Sequence, residues 1–380
     1  MKILYIARST LYSVYGGDTV QIVSTAKYLR RQGVIVDIKL SHEKINYKEY
    51  DLLHLFNITR PADACVHVEN SGLPYVISTI FLDHEESQKA DKGIRGIASK
   101  YISADKIEYV KTIARWLKNG ESIKSRQYLY YGHKGSIVRL VNGASMLLPN
   151  SENEYIRFVN RYQVTAPHTV IYNGIDTEVF GGYKKQETVH DPMLVLCVGR
   201  IEGNKNQLNL IRALNDTPFK LKLVGKPAPN HMKYYEQCRK AASDNISFEG
   251  FISQEELIRH YMSAKVHVLP SWNETCGLSS MEAAYMNCNI VISAKGDTVE
   301  YYGNDAWYCD PGSPQSIYDA VVKASEAPLN DRLHDKILTE YNWQKAAIDT
   351  LMVYKEVLNM EPTAKVKEVH QYEEQIKVTI

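Results

Sequence analysis

Short apolar runs alternate with amphipathic stretches along most of this chain, and this alternation constrains the fold more than any other feature. The runs have the length of buried strands, and stretches such as residues 19–31 have helical spacing. Strands that alternate with helices favour right-handed βαβ units on a mostly parallel sheet. The predicted strands are residues 3–7, 34–38, 52–56, 75–80, 145–148, 193–198, 219–224, 246–248, 266–269 and 290–293.

The strand pattern restarts in the middle of the chain, which indicates two domains. The stretch from Gly181 to Pro192 contains glycine, charge and proline but no apolar periodicity, so the domain boundary is placed there. A length of 380 residues suits two domains. The predicted fold class is α/β, with two doubly wound Rossmann-like domains that face each other across a deep cleft. Such sheets bind ligands at the carboxyl ends of their strands.

Composition excludes several classes of protein. The formal net charge of +1 lacks the excess of a nucleic-acid binder, so no nucleic-acid partner is expected. The six cysteines form no C-x-x-C pair, which favours reduced thiols in a cytoplasmic protein over a disulfide frame or a zinc site. The apolar run after Met1 is too short for a signal peptide.

Two glutamates eight residues apart, Glu274 and Glu282, flank a glycine that can open a helix. The first N–H groups after Gly277 have no partner within a helix, and the helix dipole favours an anion there, such as a diphosphate. Glu274 precedes the helix and can accept hydrogen bonds from sugar hydroxyls, whereas Glu282 suits the hydroxyls of a ribose. The alternative for Glu282 is a capping box with Ser279, and Glu274 could be a solvated loop acid.

Arg200 and Lys205 follow the predicted strand 193–198. Two cations at the carboxyl end of a strand can clamp a leaving diphosphate, although a lone surface Arg or Lys is more often only solvated. The chain contains no Asp-x-Asp pair for holding a divalent metal against a diphosphate. A metal-free site with no bound cofactor is therefore expected, with its positive charge supplied by the protein.

The first domain carries weaker signals. Gly16 and Gly17 follow the first strand and could let the backbone approach a phosphate or a sugar; the alternative is a tight turn with Asp18 or Thr19 as helix N-cap. His54 and His84 lie at or after strand ends and are candidates for a functional contact, although a lone histidine is more often structural.

The stretch bounded by Lys89 and Arg139 carries twelve basic against four acidic residues, a local excess of +8. Apolar residues at helical spacing and three tyrosines accompany the charge. A basic amphipathic surface with aromatics suits anionic lipid headgroups or a diphosphate-linked acceptor, and the alternative is an ordinary solvated helix face. Peripheral contact with the cytoplasmic face of a membrane is thus an option.

Several motifs together resemble the retaining glycosyltransferases of family 4 (glycosyl transferases group 1), which have the GT-B fold. The resemblance covers most of the chain, and the combination of the middle motif with the paired glutamates is the most specific part. The motifs are Gly16-Gly17, residues 170–180, Val198-Gly-Arg200 with Lys205, residues 223–225, residues 248–251, and the segment from Glu274 to Glu282.

This resemblance implies transfer of a sugar from a nucleoside diphosphate to an acceptor hydroxyl, with retention of the anomeric configuration. Arg200 and Lys205 would bind the diphosphate, the amides near Gly277 and Leu278 its oxygens, Glu274 the donor sugar and Glu282 the ribose. The leaving phosphate would be the base. Residues 1–180 would form the acceptor-binding domain, completed by the C-terminal helix 343–380, and residues 181–342 the nucleotide-sugar-binding domain.

The chain also departs from the family pattern. Cys288 and Ile290 stand where the family usually has a glycine and a proline, and Ile80 stands near the position of a frequent strand-ending histidine. His84 is the remaining candidate for the catalytic contact of the first domain.

The resulting hypothesis is a cytoplasmic, metal-independent hexosyltransferase in surface polysaccharide or glycoconjugate biosynthesis. Its donor would be a nucleotide sugar, with a UDP-sugar favoured over a GDP-sugar on frequency within the family. Its acceptor would be a glycan or a lipid-linked sugar. The alternatives are a catalytically silent nucleotide-sugar-binding scaffold subunit and a GT-B hydrolase or epimerase of nucleotide sugars.

Overall fold

The structure is a computed structural model that describes residues 1–82, 104–119, 125–183, 190–228, 230–329 and 331–359. The chain divides into two compact units, and each is built on one parallel sheet. No helix in these ranges has the length and apolar character needed to cross a bilayer.

The first unit contains a five-stranded parallel sheet in the order β2-β1-β3-β4-β5. The inner strands β1, β3 and β4 are mostly apolar and buried, because helices cover both faces of such a sheet. The strand order reverses between β1 and β3, which is the position where doubly wound sheets bind ligands. The strands are β1 (Lys2–Ala7), β2 (Ile35–Leu40), β3 (Leu52–Phe56), β4 (Tyr75–Ser78) and β5 (Met146–Leu147), and the helices are Gly17–Arg31, Pro61–Ser71, Ala104–Asn119, Arg126–Gly143, Glu152–Tyr162 and Trp343–Val357.

The second unit contains a six-stranded parallel sheet in the order β11-β10-β9-β6-β7-β8. Counted from β6, this is the Rossmann order 3-2-1-4-5-6, with the reversal between β6 and β9. The strands are β6 (Asp191–Val198), β7 (Lys220–Val224), β8 (Ile246–Gly250), β9 (Ala264–Leu269), β10 (Asn289–Ser293) and β11 (Trp307–Cys309), and the helices are Thr177–Gly181, Gln207–Leu214, Met232–Ala241, Gln254–Ser263, Leu278–Tyr285, Thr298–Tyr302, Pro314–Glu326 and Arg332–Thr339.

The prediction of two doubly wound parallel sheets is confirmed, and all ten predicted strands are present. The prediction missed β11, which has only three residues. The chain passes from the first unit to the second between Tyr172 and Asn173, ahead of the boundary expected at residue 180. The reason is local hydrogen bonding: the Asn173 amide donates to the Tyr301 hydroxyl (3.1 Å) and the Ile175 amide to the Tyr341 carbonyl (3.0 Å).

The helix Trp343–Val357 returns to the first unit and packs on the helix Gly17–Arg31. Its Tyr354 is buried beside Tyr5 of β1 and His54 of β3. The Tyr354 hydroxyl donates to the Tyr5 oxygen (3.0 Å) and lies 2.5 Å from His54 Nδ1. His54 Nε2 lies 2.8 Å from Ser78 Oγ of β4. A single polar chain thus joins the last helix to three strands of the first sheet.

His54 is a structural residue. Its ring is 1 % exposed, and burial lowers its pKa to about 3, so the imidazole is neutral at physiological pH. Of the two alternatives for His54, the structural one is therefore correct, because the side chain points into the core where Tyr354 and Ser78 contact both ring nitrogens. The neighbours of His54 in β3 are apolar, and nothing in the sequence indicated that Tyr354 and Ser78 are its partners.

We predict that Tyr354→Phe lowers the free energy of unfolding by about 1–3 kcal/mol, because it leaves buried His54 Nδ1 and the Tyr5 hydroxyl without a partner. Urea and thermal denaturation measure the effect. Tyr130→Phe is the matched control, since Tyr130 is 84 % exposed and its variant should match the wild type. Equal stability of the two variants would contradict a stabilising role for the Tyr354 hydroxyl.

Candidate active site

The second unit brings two loops together at the point where its strand order reverses. One loop follows β6 and carries Arg200 and Lys205, and the other follows β9 and carries Glu274 and Gly277. β6 and β9 are hydrogen-bonded neighbours, so the two loops leave the sheet side by side. The charged residues selected from the sequence therefore lie at the ligand-binding edge of this sheet.

Lys205 and Glu274 form an ion pair at this edge. Lys205 Nζ donates to Glu274 Oε2 at 2.5 Å, and Ser271 Oγ donates to the same oxygen at 3.1 Å. The two side chains are 19 % and 13 % exposed, so water screens the pair only partly. Burial by itself would lower the pKa of Lys205, but the adjacent Glu274 carboxylate outweighs burial and the pKa is raised. Lys205 is therefore a cation at neutral pH.

Asparagine side chains fix the two loops against each other. Asn204 Nδ2 donates to the Asn273 carbonyl (3.0 Å), and the Asn204 carbonyl accepts from the Trp272 amide (2.8 Å). Asn206 is buried and donates to the carbonyls of Pro270 (3.2 Å) and Pro311 (2.7 Å). The backbone on both sides of Lys205 is consequently held, and the ion pair forms between two anchored segments.

Gly296 supports Glu274 from the loop after β10. The Glu274 carbonyl accepts from the Asp297 amide (2.9 Å), and Gly296 has φ +87°. A Cβ at position 296 would lie 2.1 Å from the Glu274 oxygen, so only glycine fits. The sequence interpretation missed Gly296, Ser271 and Asn204. The one available signal was a glycine shortly after an apolar strand, the same signal that drew attention to Gly16.

The helix Leu278–Tyr285 begins at Gly277, which has φ +64° and accepts from the amides of Ser280 (2.7 Å) and Met281 (3.0 Å). The first amides of this helix have no partner within it and lie at the same edge as Lys205. Ser279 Oγ donates to the Val198 carbonyl at the end of β6 (2.8 Å), which joins the helix to the Arg200 loop. The expected glycine-opened helix is confirmed.

Glu282 lies one turn inside this helix and accepts from the Tyr261 hydroxyl at 3.0 Å. The capping-box alternative is wrong, because the N-cap is Gly277 and not Ser279. Burial raises the pKa of Glu282 to about 7, and the hydrogen bond from Tyr261 opposes this shift in part. The carboxyl group can therefore change its protonation state near physiological pH.

Arg200 is the exposed cation of the site. Its side chain is 43 % exposed, and its Nη2 lies 3.4 Å from Glu202 Oε1. The positive charge of Arg200 favours a lower pKa of Lys205, but the effect of Glu274 on that pKa is larger. Its carbonyl accepts from Gln207 Nε2 at 2.9 Å, which fixes the backbone. The guanidinium is held less tightly, by the 3.4 Å contact to Glu202.

In the first unit, Gly16 and Gly17 lie after β1, beside the reversal of strand order. Arg8 organises this loop: its Nε donates to Asp18 Oδ2 (2.6 Å) and its Nη2 to the Val14 carbonyl (2.6 Å). Gly16 itself is the N-cap of the helix Gly17–Arg31, so the expectation of Asp18 or Thr19 as N-cap is wrong. Asp18 instead neutralises Arg8. The sequence interpretation missed Arg8, a charged residue directly after an apolar strand.

His84 lies outside the described residues. All six cysteines are free and buried, as the sequence predicted. Within the described ranges, no cluster of three or more His, Cys, Asp or Glu side chains is arranged to hold a metal ion.

Comparison with known proteins agrees with this geometry. The family model of the glycosyl transferases group 1 matches residues 183–341. D-inositol 3-phosphate glycosyltransferase of Nocardioides sp. is 27 % identical over 253 residues, which are 57 % of this chain and 55 % of that protein. The matched part thus spans about half the length of such curated relatives.

Solved structures match over most of the chain. Sucrose-phosphate synthase from Thermosynechococcus elongatus superposes with a TM-score of 0.70 at 15 % identity, covering 94 % of this chain and 99 % of that one. HepE of Anabaena, solved in complex with UDP and glucose, gives a TM-score of 0.65 at 14 % identity, covering 94 % and 100 %. At such identities the likeness establishes the fold alone. The architecture of this chain is that of the GT-B fold, and residues 183–341 match the family model of the group 1 glycosyltransferases.

Proposed function

We propose that this protein transfers a sugar from a nucleoside diphosphate sugar to a hydroxyl of a glycan or lipid-linked acceptor, with retention at the anomeric carbon. The observation that carries the proposal is the anchored Lys205–Glu274 pair beside Arg200 and a helix N-terminus, at the reversal of the second sheet. The match of residues 183–341 to the group 1 family model supports the reaction class. A UDP-sugar is the favoured donor, and the UDP and glucose bound to HepE support that choice.

Charge balance explains how a diphosphate would bind. In the resting site Glu274 neutralises Lys205, and Glu202 lies 3.4 Å from Arg200, so the helix dipole adds the positive potential beyond these two pairs. A diphosphate adds negative charge next to Lys205 and competes for its ammonium protons. Sharing Lys205 in this way frees part of the Glu274 carboxylate to accept hydrogen bonds from the hydroxyls of the donor sugar. The protein then supplies the positive charge that a divalent metal supplies elsewhere.

The reaction changes two bonds at the anomeric carbon and moves one proton. Its bond to the diphosphate oxygen breaks and a bond to the acceptor oxygen forms on the same face. The leaving phosphate takes the proton of the acceptor hydroxyl, as the family resemblance implies. Arg200, Lys205 and the amides near Gly277 and Leu278 stabilise the negative charge that grows on the diphosphate. His84 stays the candidate for a contact from the first domain.

A panel of UDP- and GDP-sugars, screened for binding and for slow hydrolysis, tests the proposal. A silent scaffold would bind without turnover, and a hydrolase or epimerase would turn over donor at full rate without an acceptor. Transfer that is unaffected by EDTA is expected, because the site draws its positive charge from protein groups. Binding of no nucleotide sugar in the panel would refute the proposed function.

We predict that Glu274→Ala and Lys205→Ala each lower turnover about 100-fold or more, because each removes a contact to the reacting groups. The exposed pair Glu255 and Arg259 provides the control, and Glu255→Ala should keep the wild-type rate. Lys205→Ala should also destabilise the fold by about 2 kcal/mol, since the partly buried Glu274 loses its counter-ion. Adding Glu274→Gln should restore stability but not turnover. A fully active Glu274→Ala enzyme would exclude the role given to Glu274.

Glu282 gives nucleotide binding a predictable pH dependence. A carboxylate accepts hydrogen bonds from both ribose hydroxyls, whereas the protonated form is a poorer acceptor. Because burial raises the pKa of Glu282 to about 7, its ionised fraction grows as the pH rises through that value. We predict that UDP affinity rises on the order of tenfold between pH 6 and 8 by calorimetry. In Glu282→Gln the rise should disappear, apart from the titration of UDP itself; an unchanged pH profile would contradict the ribose contact.

We also propose that the first unit contacts an anionic membrane from the cytoplasmic side. The helix Arg126–Gly143 breaks at Gly132 (φ +68°, ψ −172°) and exposes Leu129, Tyr130 and Tyr131. This helix and the helix Ala104–Asn119 also expose four basic side chains, which are Lys106, Lys111, Arg126 and Lys134. Tyrosines beside basic side chains suit the interface of an anionic bilayer. We name this surface the tyrosine–lysine surface.

We predict that the protein cosediments with vesicles containing phosphatidylglycerol, less so at high salt, and not with pure phosphatidylcholine. Tyr130→Ser with Tyr131→Ser should reduce the bound fraction at least severalfold. Phe251→Ser, at a 76 % exposed aromatic of the second unit, is the control and should bind normally. Equal binding of the tyrosine variant and the control would exclude the tyrosine–lysine surface as the contact.

A further inference from the structure

The turn that follows β4 contains a strained residue. Ile80 has φ +45°, a conformation that β-branched residues rarely adopt. Strain of this kind persists only where surrounding contacts enforce it, and it concentrates at functional sites. Ile80 lies at the carboxyl end of β4, which is the edge where doubly wound sheets bind their ligands.

The contacts that enforce the turn converge on one buried carboxyl group. Glu154 is 1 % exposed, and its Oε1 accepts from the Thr79 hydroxyl and from the Phe81 amide (2.8 Å). The residues on both sides of Ile80 are therefore held by a single oxygen atom. Glu154 Oε2 accepts from the Asn150 amide at 2.9 Å, in the turn after β5. A buried carboxyl group is unfavourable without such donors. Glu154 therefore has a role that an apolar side chain of similar size could not fill.

The same network reaches the other loops of this edge. Asn150 Oδ1 accepts from Gln21 Nε2 (2.8 Å), in the helix that Gly16 begins. The Ile58 amide, after β3, donates to the Thr79 carbonyl at 3.0 Å. Glu154 is thus connected to the segments that follow β1, β3, β4 and β5. These are the segments from which a substrate-binding surface of the first unit must be built.

We infer that Glu154 is a positioning residue that fixes the turn formed by Thr79, Ile80 and Phe81 as one wall of the acceptor subsite. The inference rests on the proposed function, in which the first unit binds the hydroxyl-bearing acceptor. Glu154 acts through the backbone of the turn and does not touch substrate. Hydrolysis of the donor by water does not need a fixed acceptor subsite, whereas transfer to a sugar hydroxyl does. Loss of Glu154 should therefore impair transfer to a sugar more than hydrolysis of the donor.

The experiment compares transfer from UDP-glucose to p-nitrophenyl glycosides with hydrolysis of UDP-glucose in the same samples. In Glu154→Gln the ratio of transfer to hydrolysis should fall at least tenfold, with UDP affinity within twofold of the wild type. Hydrogen exchange provides a readout that needs no acceptor: the Phe81 amide should exchange at least tenfold faster in the variant. A parallel loss of both reactions, or unchanged exchange at Phe81, overturns the inference.

Glu152→Gln is the matched control, because Glu152 lies in the same helix but its side chain is 51 % exposed, and it should behave as the wild type. If Glu154→Gln folds poorly, Glu154→Gln with Ile80→Gly keeps the comparison open, since glycine adopts positive φ without strain. A wild-type protein that binds no UDP and hydrolyses no UDP-glucose refutes the proposed function. In that case the exchange of Phe81 still decides whether Glu154 holds the turn.

Discussion

The ion pair between Lys205 and Glu274 is the interaction on which the candidate site depends. It joins the loop after β6 to the loop after β9 across the reversal of the second sheet, and its 2.5 Å contact is only partly open to water. The asparagines around it fix backbone on both sides, and Gly296 leaves room for the Glu274 carbonyl. The pair is therefore part of the sheet edge, and each of its two charges is neutralised by the other.

Two titratable groups near this ion pair, His267 and Glu282, add no positive charge to it at neutral pH. His267 lies beneath the site in β9, where burial and the charge of Lys205 lower its pKa to about 3. It adds no positive charge at neutral pH. Its folded-state pKa is depressed, so its contribution to stability is present above about 6.5 and is lost as the pH falls towards 3. Glu282 is shifted in the opposite sense, towards about 7. In the proposed function, Lys205 and Arg200 are therefore the cations that would meet a diphosphate.

The sequence predicted the architecture because strands covered on both faces must be apolar runs, and ten of them were long enough to recognise. β11 was missed: two of its three residues are only partly buried, and it lies at the edge of its sheet. Lys205 and Glu274 could each be selected by type and position. Their pairing could not, because it joins residues 69 apart in the chain through tertiary structure. The partner of His54 could not be predicted for the same reason, since Tyr354 lies 300 residues away.

The two units use buried polarity for different purposes. In the second unit, charge is placed at the sheet edge, partly in contact with water. In the first unit, His54 with Tyr354 and Glu154 with Thr79 lie wholly inside and hold backbone elements that are distant in sequence. Buried hydrogen bonds of this kind favour one arrangement over its alternatives because any other arrangement leaves a polar group without a partner. In the proposed function, such rigid loops on the first sheet would hold an acceptor hydroxyl in one orientation, since misplacement of a reacting group reduces rate steeply.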